Sequence, residues 1–254
     1  MIETKVFKSR GKDMLCLIEY KDPSVRGKKV IVYKHGFCGH KITGSRKIVN
    51  FGHQMVDEGY TMIRFDCVGA GDSEGDWSYM TISGECEDFN QVLCWVKEEL
   101  APEKMMILGY SMGGLEAALC SRTVELNGIL FWSPVGNAEK CFRHIVGDEL
   151  YDFGLKGNDV DLAGDRIGKE FFLDIEQNQQ DGFEAVKGYD KPVYFVHGNA
   201  DTCVPYENST EYMKVLPQAE RTTVEGAGHD YESWKMQDEL FEASRKYVHN
   251  IMGD

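Results

Sequence analysis

The run Gly109-Tyr110-Ser111-Met112-Gly113-Gly114 sets a serine among glycines, directly after the apolar stretch Met105–Leu108. A strand, a sharp turn and a helix in that order lift a serine hydroxyl clear of a sheet, where it is placed to attack an acyl carbon. A neutral hydroxyl is a weak nucleophile and needs a base, and the base needs an acid to fix its tautomer. Both partners are present further along. Asp201 falls in the turn after Val196-His197-Gly198, and His229 follows Gly226-Ala227-Gly228. The chain order Ser, Asp, His is the one expected for a strand–turn–helix serine. Asp230 is the nearest rival carboxylate, but adjacency to His229 places it badly for orienting the ring. His35 and His197 end strands and read as packing or hydrogen-bonding residues. Acyl transfer also needs N–H donors for a developing oxyanion. Met112, just after the serine, supplies one. Phe37, behind Gly36 in His35-Gly36-Phe37-Cys38-Gly39-His40, is the second candidate.

These residues need a frame that brings turns after separate strands to one place. A hairpin is expected first, with 14–20 as its second arm. Strands then follow at 30–33, 61–65, 105–108, 128–132, 192–196 and 221–224, with helices at 48–58, 83–100, 113–122, 207–215 and 239–251. Phe89, Val92, Leu93 and Val96 share one face of the 83–100 helix. Strands alternating with helices predict a mostly parallel sheet covered on both faces, with its chemistry at the carboxyl ends of the strands. The segment 134–190 breaks the rhythm. It shows no clear strand and reads as a lid inserted into a single domain spanning 1–254. The run Arg64–Gly75 fails as a nucleotide loop, because GxGxxG requires glycine where Glu74 stands. Arg64 and Asp66 read as loop-bracing ions.

The charge of −14 disfavours phosphate backbones and anionic membrane surfaces as partners. No apolar run reaches the length of a membrane span. The eight cysteines are scattered without a CxxC pair, which predicts free thiols in a reducing compartment and no metal site. The N-terminus does not read as a secretory signal, so a cytoplasmic location is expected and the sequon Asn208-Ser209-Thr210 carries no weight.

Taken together, HGF at 35–37, RFDxxGxGxSxG at 64–75, GYSMGG at 109–114, HGxxDxxVP at 197–205 and GAGH at 226–229 resemble the α/β-hydrolase superfamily, over nearly the whole chain from Val30 onward. HGFxGHK with RFDxxGxGxSxG is most similar to the bacterial cinnamoyl (feruloyl) esterases and their carboxylesterase relatives. Cys67-Val68-Gly69-Ala70-Gly71 departs from them, standing where an Asn-Gly-His-Gly type of run is more familiar. The resemblance implies an α/β fold with a small lid between the sixth core strand and the strand bearing the acid, where 134–190 falls. It also implies a cofactor-free serine carboxylesterase acting on a small-molecule ester, with ferulate-type esters as the guess it leads to. Trp132, Phe171, Phe172 and Val204 are the candidate substrate-binding residues, beside Phe37 and Met112. A thioesterase or an aminopeptidase is served by the same triad. The acidic lid positions Asp148, Glu149, Asp152, Asp159, Asp161 and Asp165 disfavour a coenzyme A thioester and keep a substrate amine open. A non-catalytic binding protein is disfavoured, since all three triad residue types remain. Self-association as a homodimer through an apolar lid surface stays open.

Overall fold

A computed structural model describes residues 1–253. A hairpin of β1 (Ile2–Ser9) and β2 (Lys12–Glu19) leads into β3 (Lys29–Lys34), α1 (Lys47–Asp57) and β4 (Thr61–Phe65). Then come α2 (Ile82–Trp95), extended by a wider turn to Leu100, β5 (Lys104–Tyr110), α3 (Met112–Leu119) and β6 (Gly128–Trp132). After an insertion come β9 (Val193–Gly198), α8 (Glu207–Val215), β10 (Glu220–Val224) and α9 (Trp234–Met252). The insertion holds α4 (Ala138–Val146), α5 (Asp148–Leu155), β7 (Val160–Leu162), β8 (Asp165–Ile167), α6 (Lys169–Asn178) and α7 (Gly182–Ala185).

The main sheet has eight strands in the order β1-β2-β4-β3-β5-β6-β9-β10. Only the β1–β2 and β2–β4 pairs are antiparallel; the remaining pairings are parallel. Its central strands are buried at every residue but the first of β3 and of β5, as a sheet covered on both faces requires. Their alternate residues divide between two cores. Val30, Val32, Ile107, Ile129, Phe131 and Phe195 meet Phe89, Val92, Leu93 and Val96 of α2 and its extension. Ile31, Tyr33, Leu108, Leu130, Trp132 and Val196 meet Phe51 of α1 and Leu240, Phe241 and Val248 of α9. A third apolar cluster joins Met112 and Leu115 of α3 to Phe142, Tyr151, Phe171 and Phe172 of the insertion. The insertion therefore packs into one apolar cluster with the helix that follows Ser111.

Two expectations need correction. The insertion does contain strands, since β7 and β8 pair as a short antiparallel hairpin. Its turn runs through Ala163 and Gly164, both at positive φ. That is the left-handed geometry of a tight hairpin, reached here with an alanine where Asn or Asp would have advertised it. The closing helix also starts five residues early, at Trp234 rather than 239, because the Ser233 side chain caps it by accepting from the Met236 N–H. All eight cysteines are free, but only Cys16, Cys67, Cys120 and Cys141 are buried, while Cys38 is exposed.

The carboxyl end of β3 is tied down by charge. The fully buried Lys34 ammonium lies 2.6 Å from Glu85 of α2 and 2.7 Å from Glu116 of α3, and donates to the His35 carbonyl at 3.0 Å. Burial pushes the Glu116 carboxyl well above its ordinary value, against the pull of the Lys34 ammonium. Burial also works to raise Glu85, but the adjacent Lys34 ammonium outweighs it and the carboxyl ends below its ordinary value. Lys34→Met leaves the Glu85 charge buried without its partner. It is expected to cost about 3–5 kcal/mol in urea denaturation. Lys34→Met combined with Glu85→Gln should recover part of that loss, and a single-variant cost near zero would show the charges to be idle.

Candidate active site

Ser111 occupies the turn from β5 into α3 at φ 60°. That backbone is costly for a side chain larger than glycine's and is held by its surroundings. The Ser111 N–H donates to the Trp132 carbonyl at 3.0 Å, and the Ser111 carbonyl accepts from Gly114 and Val135 at 2.9 and 3.0 Å. Gly113 lets the first turn of α3 sit directly on the end of β3, where a Cβ would lie 2.3 Å from the Lys34 and His35 carbonyls. The hydroxyl is thereby fixed relative to two strands and a helix.

The turns after β9 and β10 deliver the other two residues. His229 Nε2 lies 3.0 Å from Ser111 Oγ, and His229 Nδ1 lies 2.7 Å from Asp201 Oδ2. With Nδ1–H donating to the carboxylate, Nε2 is left to accept from the serine hydroxyl. Asp201 Oδ1 accepts from the Cys203 and Val204 N–H groups at 2.9 and 2.8 Å. His197 Nε2 adds a contact 3.3 Å from Asp201 Oδ2. Burial works to raise this carboxyl, but the hydrogen bonds from His197 and His229 outweigh it and hold it well below the usual range. Asp230 stays clear of the ring nitrogen and pairs with Lys47 at 2.7 Å.

The strand-ending histidines are buried and hydrogen-bonded, as expected of them, and each does more. His197 Nε2 donates to the Val204 carbonyl at 3.0 Å, pinning the loop that solvates Asp201. His35 Nε2 accepts from the Cys67 N–H at 3.2 Å, so its proton sits on Nδ1, 3.0 Å from the Gly36 carbonyl. That carbonyl and the Phe37 N–H belong to one peptide unit. The Gly39 N–H also donates to the Gly36 carbonyl, at 3.0 Å. His35 therefore orients the amide expected to face an oxyanion. Gly36 allows the loop to reach the serine, since a Cβ there would lie 2.8 Å from Ser111 Cβ. Met112 is the first residue of α3, so no carbonyl within the helix accepts from its N–H.

The candidate substrate residues separate. Phe171 packs on Phe37 with ring centroids 5.2 Å apart, beside Phe142 at 5.0 Å and Trp77 at 5.9 Å from the same ring. Phe172 lies one layer further out, between Phe171 and Tyr151. Val204 is buried in the same apolar cluster, and its backbone serves Asp201 and His197. Trp132 does not line the site. Its ring lies under the opposite face of the sheet among Phe51, Tyr110 and Phe241, with Nε1 donating to Ser244. Sequence reading missed Trp77 and Phe142, which the fold brings to Phe37 from distant segments. Arg64 and Asp66 are bracing ions as expected: Asp66 takes the Lys41 N–H and ammonium, and Arg64 pairs with Glu19.

Ligand atoms of His35, Cys67 and Glu85 lie within 4.8 Å of one another. The set suits a cation poorly. Glu85 already faces the Lys34 ammonium, His35 Nε2 is occupied by the Cys67 N–H, and burial pushes the Cys67 thiol well up. Among the described residues no helix is long and apolar enough to cross a membrane.

This arrangement is the α/β-hydrolase fold. The family described as Serine aminopeptidase, S33, matches residues 26–146. Est1E from Butyrivibrio proteoclasticus with ferulic acid bound superposes with a TM-score of 0.79 at 20% identity, over 98% of this chain and 100% of that one. Alpha/beta hydrolase domain-containing protein 10 from mouse superposes at 0.74 with 17% identity, over 98% and 99%. Lysophosphatidylserine lipase ABHD12 of Danio rerio is 25% identical over 238 residues, covering 88% of this chain. The chain spans about half the length of that curated relative, 54%.

Burial, followed by the neighbouring Lys34 ammonium, lowers His35 from 6.5 to about 4. Between those values the unfolded chain takes up a proton that the native state refuses. Stability from this group is complete above 6.5 and is lost on acidification at roughly 1.4 kcal/mol per pH unit. Urea denaturation between pH 7 and 4.5 should show a shallower decline in His35→Gln. An identical slope would mean that His35 protonates freely in the native protein.

Proposed function

We propose that this chain is a serine carboxylesterase that works through an acyl-enzyme on Ser111. The observation carrying the reading is the unbroken hydrogen-bonded line from Asp201 through His229 to Ser111. His229 Nε2 takes the hydroxyl proton as Oγ bonds to the ester carbonyl carbon. The carbonyl oxygen gains the negative charge and accepts from the Phe37 and Met112 N–H groups. A donor of this kind is worth about 100–1000-fold in rate. As the tetrahedral intermediate collapses, His229 gives its proton to the departing alcohol. Water then enters, His229 Nε2 removes its proton as the water oxygen bonds to the acyl carbon, and the bond to Ser111 Oγ breaks as His229 returns the proton to Oγ, releasing the acid. Asp201, ionised throughout, stabilises each imidazolium state.

For the acyl group we favour an aromatic acid of the hydroxycinnamate class. Phe37, Trp77, Phe142 and Phe171 form a continuous aromatic layer beside the serine. The Trp77 indole N–H is buried with no partner among the described residues, leaving a donor for a substrate oxygen. The likeness to Est1E with ferulic acid bound supports the same class. The family description favours a second reading, cleavage of an amide next to an amino terminus, on the same three residues. The lysophospholipid-lipase relative keeps the bond an ester but changes the acyl group to an aliphatic chain.

Initial rates on methyl ferulate, p-nitrophenyl butyrate and decanoate, a monoacyl glycerophospholipid and a prolyl amide separate these readings. The expected result is ester turnover with ferulate preferred, falling by several powers of ten in Ser111→Ala. Amide turnover without ester turnover would overturn the esterase reading. A preference for decanoate or the lysophospholipid would overturn the aromatic acyl class.

A further inference from the structure

Three residues outside the triad converge on His229. Tyr110, next to Ser111, stacks its ring on the imidazole with centroids 5.3 Å apart and 20° between planes. The Tyr110 hydroxyl is 2.9 Å from the His229 carbonyl and 3.1 Å from Asp230 Oδ1, a shared donation. Lys47 of α1 donates to Asp230 Oδ1 at 2.7 Å and to the Asp230 carbonyl at 2.8 Å. Its ammonium also lies 5.4 Å from the centre of the Tyr110 ring. Lys47 is only 1% exposed, although burying a lysine is costly unless its charge is paired. Its anion is the residue that follows the base. The next residue, Tyr231, holds φ at 50°, an expensive conformation for an aromatic residue. Its hydroxyl, donating to the Val196 carbonyl at 2.9 Å, keeps it there.

We infer that Lys47, Tyr110 and Asp230 are positioning residues that set the height and tilt of His229 over Ser111, an inference that rests on the serine-hydrolase reading above. Asp201 holds only Nδ1, and a ring held at one atom can still swing. The stack and the hydroxyl of Tyr110 restrain the imidazole plane and its backbone, and Lys47 anchors the loop from beyond Asp230. Misplacing a reacting group by about 1 Å costs on the order of 100-fold in rate, so looseness here should appear in turnover. Because Tyr110 and Ser111 are consecutive, the element that places the nucleophile also places the base.

The test uses two mild changes. Tyr110→Phe keeps the ring and removes the hydroxyl, and Asp230→Asn alters a carboxylate whose side chain is 69% exposed. Tyr110→Phe should fold with nearly unchanged Tm, while Asp230→Asn takes the anion from the buried Lys47 ammonium and should lower Tm with the fold retained, so kcat is read well below either Tm. The expected result on the best ester is a fall in kcat of about tenfold with KM within about twofold. Tyr110→Phe combined with Lys47→Met should lose less than the product of the single losses, since both act through Asp230. Unchanged kcat in both mild variants, or a loss confined to KM, would overturn the inference. Ser111→Ala, measured alongside, separates the two levels. If it is inactive while the mild variants keep full kcat, only the clamp is wrong. If it turns over like the wild type, the serine-hydrolase reading itself falls.

Discussion

Asp201 is a carboxylate taken almost wholly out of water, and the site depends on its staying ionised there. Two backbone N–H groups and two imidazoles replace the lost solvent. A neutral carboxyl would leave His229 Nδ1–H without an anion, and the ring would be free to turn from Ser111. The demand for donors explains the local sequence. The turn after β9 bends back so that Cys203 and Val204 present their amides, and His197 at the strand end holds that turn through the Val204 carbonyl. The charged line across three strand ends thus rests on two backbone amides as well as two imidazoles.

The same economy operates at the other side of the serine. Lys34, His35 and Gly36 are consecutive, and each binds a different layer. Lys34 ties the strand to α2 and α3, His35 orients the peptide ahead of Phe37, and Gly36 lets that peptide touch Ser111. A neutral His35 beside a buried ammonium is the consistent state, because the nearby anions Glu85 and Asp66 are already paired with Lys34 and Lys41. The insertion then covers this end with aromatic rings, so that apolar packing and the charged line meet at the serine.

Much of this was legible in the sequence because it is local. Apolar runs of four or five residues followed by glycine-bearing turns located the central strands, and the turns after two of them held Ser111 and Asp201, whereas His229 follows the more polar edge strand β10 and stood out by its own glycine turn. What could not be read depends on contacts between distant segments. The alternation Ile129, Leu130, Phe131, Trp132 divides β6 into two faces, but nothing local says which face looks toward α9, and Trp132 was placed on the wrong one. Lys34, Glu85 and Glu116 are far apart in sequence, and their separate charges resemble any surface residues until the fold buries them together. Trp77 and Phe142 join Phe37 for the same reason. The β7–β8 turn was hidden by Ala163, a residue that rarely adopts the conformation it has.

The central claim is that Ser111 is a nucleophile activated by His229, and trapping it covalently tests that most directly. A fluorophosphonate reacts with an activated serine and stays bonded to it. One phosphonate per chain is expected, found by peptide mass mapping on the segment containing Ser111, with labelling abolished in Ser111→Ala and slowed by several powers of ten in His229→Ala. Labelling that is absent from the folded protein, or that falls elsewhere and persists in Ser111→Ala, would contradict it.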